Sequence, residues 1–463
     1  MKSCHWFRSD LRIDDNTALR AAAEDAEQLH LVFLLDPALL STTRQGAARR
    51  AFLEKSLEAL AELLAEQGQV LHVEAGSAVE VMRRLQQQHG FDRVTWNRDY
   101  SPYAKARDAK VRSALEALGA RVETFKDRVV FESDEILTLD GRPYSVYTPY
   151  RRAWERRLEE TLESEPVLGE LPPPVEATAA GEIRVEGAEA PPHGLPEAGP
   201  RAAEAMLESF LESRAGNYDE GRNEVAGDGS SRLSAHLRFG ALSPRTCVRH
   251  ALEAREAGGR SEGLQAWMQQ IVWRDFYHAV LDANPHVIRR ANKPEFSRLA
   301  WENDRELFDA WCEGRTGFPL VDAGMRELNA TGFMHNRARM VVASFLTKDL
   351  LIDWRWGEKY FMHKLIDGDP ANNNGGWQWA ASTGTDAQPY FRIFNPVSQS
   401  KKFDADGEYI RRWVPELEGA STPAVHEPWK RPLETQDYPQ PVVDHSERRN
   451  RALEMYKAAK AGM

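Results

Sequence analysis

Cysteine is scarce. Cys4, Cys247 and Cys312 are the only three in 463 residues, an odd number without a C-x-x-C pair. This excludes a disulfide framework and a zinc ribbon, and it fits a reducing, cytoplasmic setting. Long apolar runs are missing as well. None reaches about 18 residues, so no membrane-spanning helix is expected. The opening Met1-Lys2-Ser3-Cys4-His5-Trp6 lacks the apolar stretch of a secretion signal. Absent motifs narrow the chemistry further. Without G-x-S-x-G a serine hydrolase is disfavoured, and the usual dinucleotide and phosphate loops, G-x-G-x-x-G and G-x-x-x-x-G-K-[ST], are missing. The acidic run around Asp367 and Asp369 fails the register of a calcium loop, and no metal site is expected.

What is present begins with charge. A net −11 argues at first sight against a nucleic-acid partner. Residues 161–200, however, hold eight prolines, eight glutamates, one arginine and no aromatic residue, and carry −7 of that total. Such a segment cannot bury enough apolar surface to fold alone and reads as an extended connector. Two later stretches are basic and free of acids: 332–348, with Arg337, Arg339 and Lys348, and 387–403, with Arg392, Lys401 and Lys402. The distribution of charge removes the objection that its sum raised.

At roughly 100–200 residues per domain, the length allows two to three compact units. The first part alternates short apolar runs with helical patterns. Strands are expected at Ser3–Phe7, Leu29–Leu35, Val70–Glu74, Arg93–Asn97 and Arg121–Phe125. The clearest helix is Ala48–Glu66, with Phe52, Leu53, Leu57, Leu60, Leu63 and Leu64 on one face and Gly68 as its stop. This alternation predicts a parallel, doubly wound α/β sheet. Beyond residue 200 the period becomes helical, as in Leu264, Trp267, Met268, Ile271, Val272 and Phe276. The expected organisation is an α/β domain over 1–131, a connector over 132–200 and an all-helical domain over 201–463. Ten of the thirteen tryptophans lie in that last range, which suggests a planar ligand, a base or electron transfer.

Four segments are too rich in polar, glycine and aromatic residues to be scaffold alone. Gly227–Ser234 offers hydroxyls and backbone N–H groups at a helix start, a setting for a phosphate. Gln270 with Trp273 and Arg274, the His335–Met340 turn, and Asp367–Trp377 complete the set. The last could hold a heteroaromatic ring by its nitrogens and oxygens.

These residues carry a resemblance to the photolyase/cryptochrome family, most of all to its class I cyclobutane pyrimidine dimer photolyases. It runs through Trp6-Phe7-Arg8-Ser9-Asp10-Leu11-Arg12, Asp15-Asn16 and Tyr144-Ser145-Val146-Tyr147-Thr148-Pro149-Tyr150. It continues through Ser231-Arg232-Leu233-Ser234, Trp273-Arg274-Asp275-Phe276-Tyr277 and Asp367-Gly368-Asp369. Asn374-Gly375-Gly376-Trp377-Gln378-Trp379 and Tyr390-Phe391-Arg392-Ile393-Phe394-Asn395-Pro396 complete it. The resemblance implies a Rossmann-like domain followed by a helical domain that binds FAD, active as the reduced anion, in a light-driven carbon–carbon lyase acting on ultraviolet-damaged DNA. It implies a cytoplasmic monomer.

By the same resemblance, Tyr218 and Ser230, Ser231, Arg232, Leu233 and Ser234 hold the FAD phosphates. Asp367, Gly368, Asp369, Asn373 and Arg339 hold its ring region, Asn373 facing N5. Trp301, Trp354 and Trp377 pass electrons to the oxidised flavin. Trp273 stacks on the flipped lesion. Arg222, Arg274, Arg337 and Arg392 meet phosphates or line the path, and Gln270, Asn336, Met340 and Gln399 complete the lesion contacts. Family members of the cyclobutane type usually carry glutamate where Gln270 stands, and glutamine is more usual in (6–4) photolyases. Those enzymes, however, place histidines where Asn336 and Met340 stand here. Proton transfer is central to (6–4) repair and a thioether cannot supply it, so the cyclobutane dimer is the expected substrate. A cryptochrome-type photoreceptor is the alternative. Plant-type members tend to have aspartate at the position of Asn373 and long tails, whereas only about thirty residues follow Trp429. A second, antenna pigment is expected near Asn97–Tyr103: a folate by default, or a deazaflavin. Tyr103 and Ala104 replace the Asn-Glu pair of folate-binding members.

Overall fold

The computed structural model describes residues 1–41, 45–161, 169–176 and 181–461. Parts of the expected connector, 162–168 and 177–180, lie outside the described residues. The chain divides into two compact units. One comprises Met1–Ala190, Leu195–Gly216 and Ser231–Pro285; the other Pro191–Gly194, Asn217–Ser230 and His286–Met463. Residues 231–285, expected within the helical domain, thus cluster with the sheet, and the expected connector contains a 15-residue helix, Tyr147–Thr161.

The first unit is built on five parallel strands, β1 (Lys2–Phe7), β2 (Gln28–Leu35), β3 (Leu71–Ala75), β4 (Arg93–Asn97) and β5 (Arg121–Phe125), in the order β3-β2-β1-β4-β5. Each lies within one residue of its expected bounds. Between them run α1 (Thr17–Ala23), α2 (Ala47–Ala65), α3 (Ala78–His89) and α4 (Pro102–Glu116). Helix α2 buries Phe52, Leu53, Leu57, Leu60 and Leu64, and the chain turns out of it at Gly68, with φ +70°. The strand order reverses between β1 and β4. At such a switch point the connections leave in opposite directions and open a crevice at the carboxyl ends of the strands.

In chain order there follow α5 (Tyr147–Thr161), α6 (Pro200–Ser213), the single turn α7 (Tyr218–Gly221), α8 (Ser234–Phe239), α9 (Pro244–Glu256) and α10 (Ser261–Ala283). All but α7 belong to the first unit. A buried ion cluster ties the start of α9 to the β1–α1 loop and to the chain just after β5: Arg12 grips Asp127 with two N–H groups, and Arg245 reaches Asp127 at 3.0 Å and Asp15 at 3.1 Å. Gly240, which ends α8 at φ +69°, has no room for a side chain, because a Cβ there would sit 1.9 Å from the Ser9 carbonyl oxygen.

Helix α10 is held by a buried carboxylate. Asp275 Oδ2 accepts the Val130 N–H at 2.9 Å, the Phe131 N–H at 3.2 Å and the Trp154 Nε1–H at 3.0 Å. Burial pushes its carboxyl up to about 6. A raised pKa means that the fold favours the protonated form. Its contribution to stability is full below the unfolded value near 3.8 and is lost as pH rises through 6. Asp275→Asn removes this dependence. Its Tm relative to the parent is therefore expected to be higher at pH 7 than at pH 4.5, and a difference that does not change with pH contradicts the assignment.

The second unit contains α7 and α11 (Arg305–Glu313), α12 (Pro319–Thr331), α13 (Asn336–Ser344), α14 (Trp354–Lys364), α15 (Pro370–Ala380), α16 (Pro396–Phe403), α17 (Glu408–Trp413), α18 (Thr422–His426) and α19 (His445–Ala461). Trp311, Phe345, Leu346, Trp354, Phe361 and Trp377 form the centre of its core. Among the described residues no helix is long and apolar enough to cross a membrane, and no group of His, Cys, Asp and Glu is placed to hold a metal.

Candidate flavin and lesion site

In the second unit, α13 and the turn before α15 bring together residues separated in sequence. Arg339 meets Asp367 through two hydrogen bonds, Nη1 to Oδ1 at 3.2 Å and Nη2 to Oδ2 at 2.8 Å, and its Nε–H binds the Met334 carbonyl at 2.7 Å. The fork–carboxylate geometry fixes the guanidinium plane. Gly368 separates this pair from Asp369, whose Oδ1 caps α15 by accepting the N–H groups of Ala371 and Asn372, each at 3.0 Å. Asn373 and Asn374 lie in the first turns of that helix. Asn373 Nδ2 donates to the Glu358 carbonyl oxygen at 2.9 Å, and Asn374 Nδ2 to the Glu358 carboxylate at 2.9 Å. Burial pushes the Glu358 carboxyl up to about 7. Sequence reading missed Glu358. Its only signal was a lone acid on α14, and its partners lie 15 and 16 residues further on.

Tyr218 opens α7 and is nearly buried, with its hydroxyl pushed up to about 12 by burial. The Arg222 guanidinium lies 6.0 Å from the Tyr218 ring centre. Burial, and then repulsion from Arg222, lower the affinity of Arg337 for its proton, so two guanidinium groups share one neighbourhood. Arg337 also donates to Asn223 Oδ1 at 2.5 Å and covers the Phe403 ring at 4.2 Å, while its Nε is buried without a partner among the described residues. Asn336 and Met340, one turn apart on α13, face each other with Nδ2 and Sδ 3.9 Å apart. Gln399 on α16 holds a buried Oε1 that has no partner among the described residues, and Arg392 is exposed beside the exposed ring of Phe391.

The tryptophans expected to form a chain all belong to this unit. Trp354 and Trp377 are buried and Trp301 is half-buried. The edge of Trp377 lies against Gly357, one turn after Trp354; a Cβ on Gly357 would come within 2.1 Å of it. The Trp301 loop is tied to the start of α14, since the Glu302 N–H binds the Leu351 carbonyl at 2.8 Å and the Asp353 N–H binds Asn303 Oδ1 at 2.9 Å.

In the first unit, Ser231, Arg232 and Leu233 lead into Ser234, the first residue of α8, with Arg232 at φ +53°. A non-glycine residue held there stores strain of the kind found at ligand turns. Ser231 Oγ accepts from Trp267 Nε1 at 3.3 Å, which anchors the turn on α10. Ser230, just before it, belongs to the second unit. Trp273 on α10 is stacked on Tyr147, ring centres 3.6 Å apart and planes 8° apart. Sequence reading placed the Tyr147 motif without a partner, because 126 residues separate the two rings. Gln270, one turn earlier, donates to the Ala266 carbonyl at 3.1 Å. Arg274 departs from expectation. Its guanidinium turns inward, donating to the carbonyls of Arg128 and Leu237 with 11% of its side chain exposed, so it serves the scaffold rather than a phosphate.

The set fits a flavin nucleotide. In the second unit, a guanidinium beside a carboxylate, a capped acid and two amides can meet ring nitrogens and oxygens. Taken by itself, the strained hydroxyl-rich turn of the first unit can meet a phosphate. Comparison with known proteins agrees. The family model described as DNA photolyase matches residues 3–170, and the one described as the FAD binding domain of DNA photolyase matches 267–458. The deoxyribodipyrimidine photo-lyase of Vibrio cholerae is 40% identical over 98% of this chain and 99% of its own. That of Escherichia coli is 40% identical over 99% and 98%. Among solved structures, a bacterial class III photolyase from Agrobacterium tumefaciens superposes with a TM-score of 0.87 at 36% identity, covering 99% of this chain and 98% of its own. The cryptochrome of Synechocystis gives 0.86 at 28% identity, with 98% and 99% covered. A parallel α/β unit and a helical unit with an FAD-binding domain define an enzyme of the photolyase/cryptochrome fold. Within that class, the chain belongs to the DNA photolyase family.

Proposed function

We propose that this protein repairs ultraviolet-damaged DNA by splitting cyclobutane pyrimidine dimers under blue or near-ultraviolet light, with FAD as its cofactor. The observation that carries the choice of lesion is the Asn336–Met340 face of α13, where neither side chain can pass the proton that (6–4) repair requires. Tyr218 and the Ser230–Ser234 turn would hold the FAD phosphates; Arg339, Asp367, Gly368, Asp369 and Asn373 would hold the ring. When bound and reduced, the flavin supplies one electron on absorbing light and regains it after the ring of the dimer opens, with no net redox change. Arg339, oriented by Asp367, favours negative charge beside it. The Glu358 carbonyl fixes the Asn373 amide and hence the direction of its oxygen.

Tyr147 stacks on Trp273, and Phe276 and Tyr277 pack against the same indole at 5.7 and 5.5 Å; together they set its plane, and the half-buried ring would stack on the flipped pair. Gln270 can donate a hydrogen bond to a pyrimidine carbonyl, although it cannot titrate. Arg222 and Arg337 form no ion pair with a carboxylate among the described residues, and with Arg392 they would hold backbone phosphates without reading sequence. Support for an antenna pigment, folate by default or a deazaflavin, comes from the carboxyl end of β1, where Arg8 keeps Nε and Nη2 buried without partners among the described residues. Its working state is taken to be a cytoplasmic monomer, in keeping with three free cysteines.

Damaged pairs stack poorly, and flipping a sound pair costs a few kcal/mol more. Flavin-loaded protein in the dark is therefore expected to bind a duplex with one cyclobutane dimer about 100-fold more tightly than the undamaged duplex. Equal affinities reject the reading.

A further inference from the structure

We propose that a cleft in the second unit beside Trp301 binds a small, singly charged anionic reductant, for which ascorbate is the probe, and so refills the outer end of the tryptophan chain. The proposal rests on the reading of Trp301, Trp354 and Trp377 as that chain.

A cavity of about 1040 Å³ opens between the 290–302 segment, the start of α14 and one face of α19. Four arginines line it, Arg290, Arg298, Arg355 and Arg451. Arg355 is neutralised by Asp353 at 2.7 Å, and Arg448 and Arg451 share Glu302 at 2.8 and 2.7 Å. Arg290 and Arg298 are exposed and form no ion pair among the described residues. Glu295 and Glu454 also line it, together with apolar residues that include Leu351 and Met455. Two free cations beside two carboxylates disfavour a multiply charged phosphate. They suit a monoanion with delocalised charge and hydroxyl groups, whose oxygens accept from arginine while its hydroxyls donate to glutamate.

The position gives this binding a use. Ala300 and Glu302 line the cavity, and Trp301 lies between them in the chain. The Trp301 ring meets Tyr456 edge-on at 6.4 Å and 87°, and Tyr456 follows the lining residue Met455 on α19. An electron that leaves Trp301 through Trp354 and Trp377 toward the bound flavin leaves the indole one electron short. Ascorbate monoanion in the cleft gives one electron to Trp301, releases its proton to solvent and departs as the ascorbyl radical anion. The indole is restored as a neutral ring, and charge and atoms balance.

The test uses the flavin-loaded protein. Photoreduction of oxidised flavin is expected to saturate with ascorbate and to rise linearly with dithiothreitol, a neutral donor. In the dark, saturation-transfer NMR is expected to show ascorbate bound. Arg290→Glu with Arg298→Glu, both exposed, is expected to raise the half-saturating ascorbate concentration by at least about tenfold and abolish the NMR signal, leaving the dithiothreitol rate unchanged. No dark signal and a linear ascorbate dependence in the parent overturn the site. Dark binding with full photoreduction by Trp301→Phe overturns the redox role through the failure of the chain itself, which tells the two failures apart.

Discussion

Trp377→Phe is expected to slow photoreduction of oxidised flavin by at least about tenfold while leaving repair by already reduced flavin near the parent rate. The indole of Trp377 is buried, edge-on to Phe361 at 5.0 Å and to Trp311 at 6.0 Å, and lies against Gly357 one turn from Trp354. A phenyl ring is harder to oxidise than indole by far more than the roughly 1.4 kcal/mol that costs a factor of ten in rate. The substitution keeps an aromatic ring in the same space, so the fold is retained. Repair with reduced flavin does not call on the chain, and that rate serves as the control. Flash photolysis that gives equal photoreduction rates in variant and parent refutes the assignment of Trp377.

Asp127→Ala is expected to destabilise the first unit by about 3–5 kcal/mol, the usual cost of stripping a buried ion pair of one partner. Asp127 is 1% exposed and serves two guanidinium groups, those of Arg12 and Arg245. Removing it leaves Arg12 buried with only the Asp15 and Gly240 carbonyls to meet its donors. Urea unfolding followed by far-ultraviolet circular dichroism measures the loss, and a change below about 1 kcal/mol would assign the cluster no structural weight.

That cluster also shows where sequence reading stopped. Arg12, Asp15 and Asn16 were legible as a motif, but the motif alone did not reveal that Arg12 pairs with Asp127 or that Asp15 holds Arg245 at the start of α9. Periodicity located all five strands because short runs rich in apolar and β-branched residues, set between helical patterns, are local signals; β2 is a nearly continuous buried run, while the edge strands β3 and β5 are only partly buried. The Arg339–Asp367 pair and Asn373 were expected together, and the first two are in contact. What stayed hidden depends on distant pairing. Tyr147 could not be matched to Trp273, nor the carbonyls of Arg128 and Leu237 to Arg274, because no local pattern encodes such contacts. Helix α5 escaped because its range was read with the proline- and glutamate-rich stretch that follows it. Its Trp154 reaches Asp275 through a contact spanning 121 residues.

Light-driven splitting of cyclobutane dimers is the activity proposed for this protein. One measurement addresses it directly: ultraviolet-irradiated duplex is incubated with flavin-reduced protein, in blue light and in darkness, and both lesion types are quantified by chromatography after digestion. Cyclobutane dimers are expected to return to intact pyrimidines in light alone, and (6–4) products to persist. Dimers that survive illumination, or that disappear equally in the dark, would contradict it.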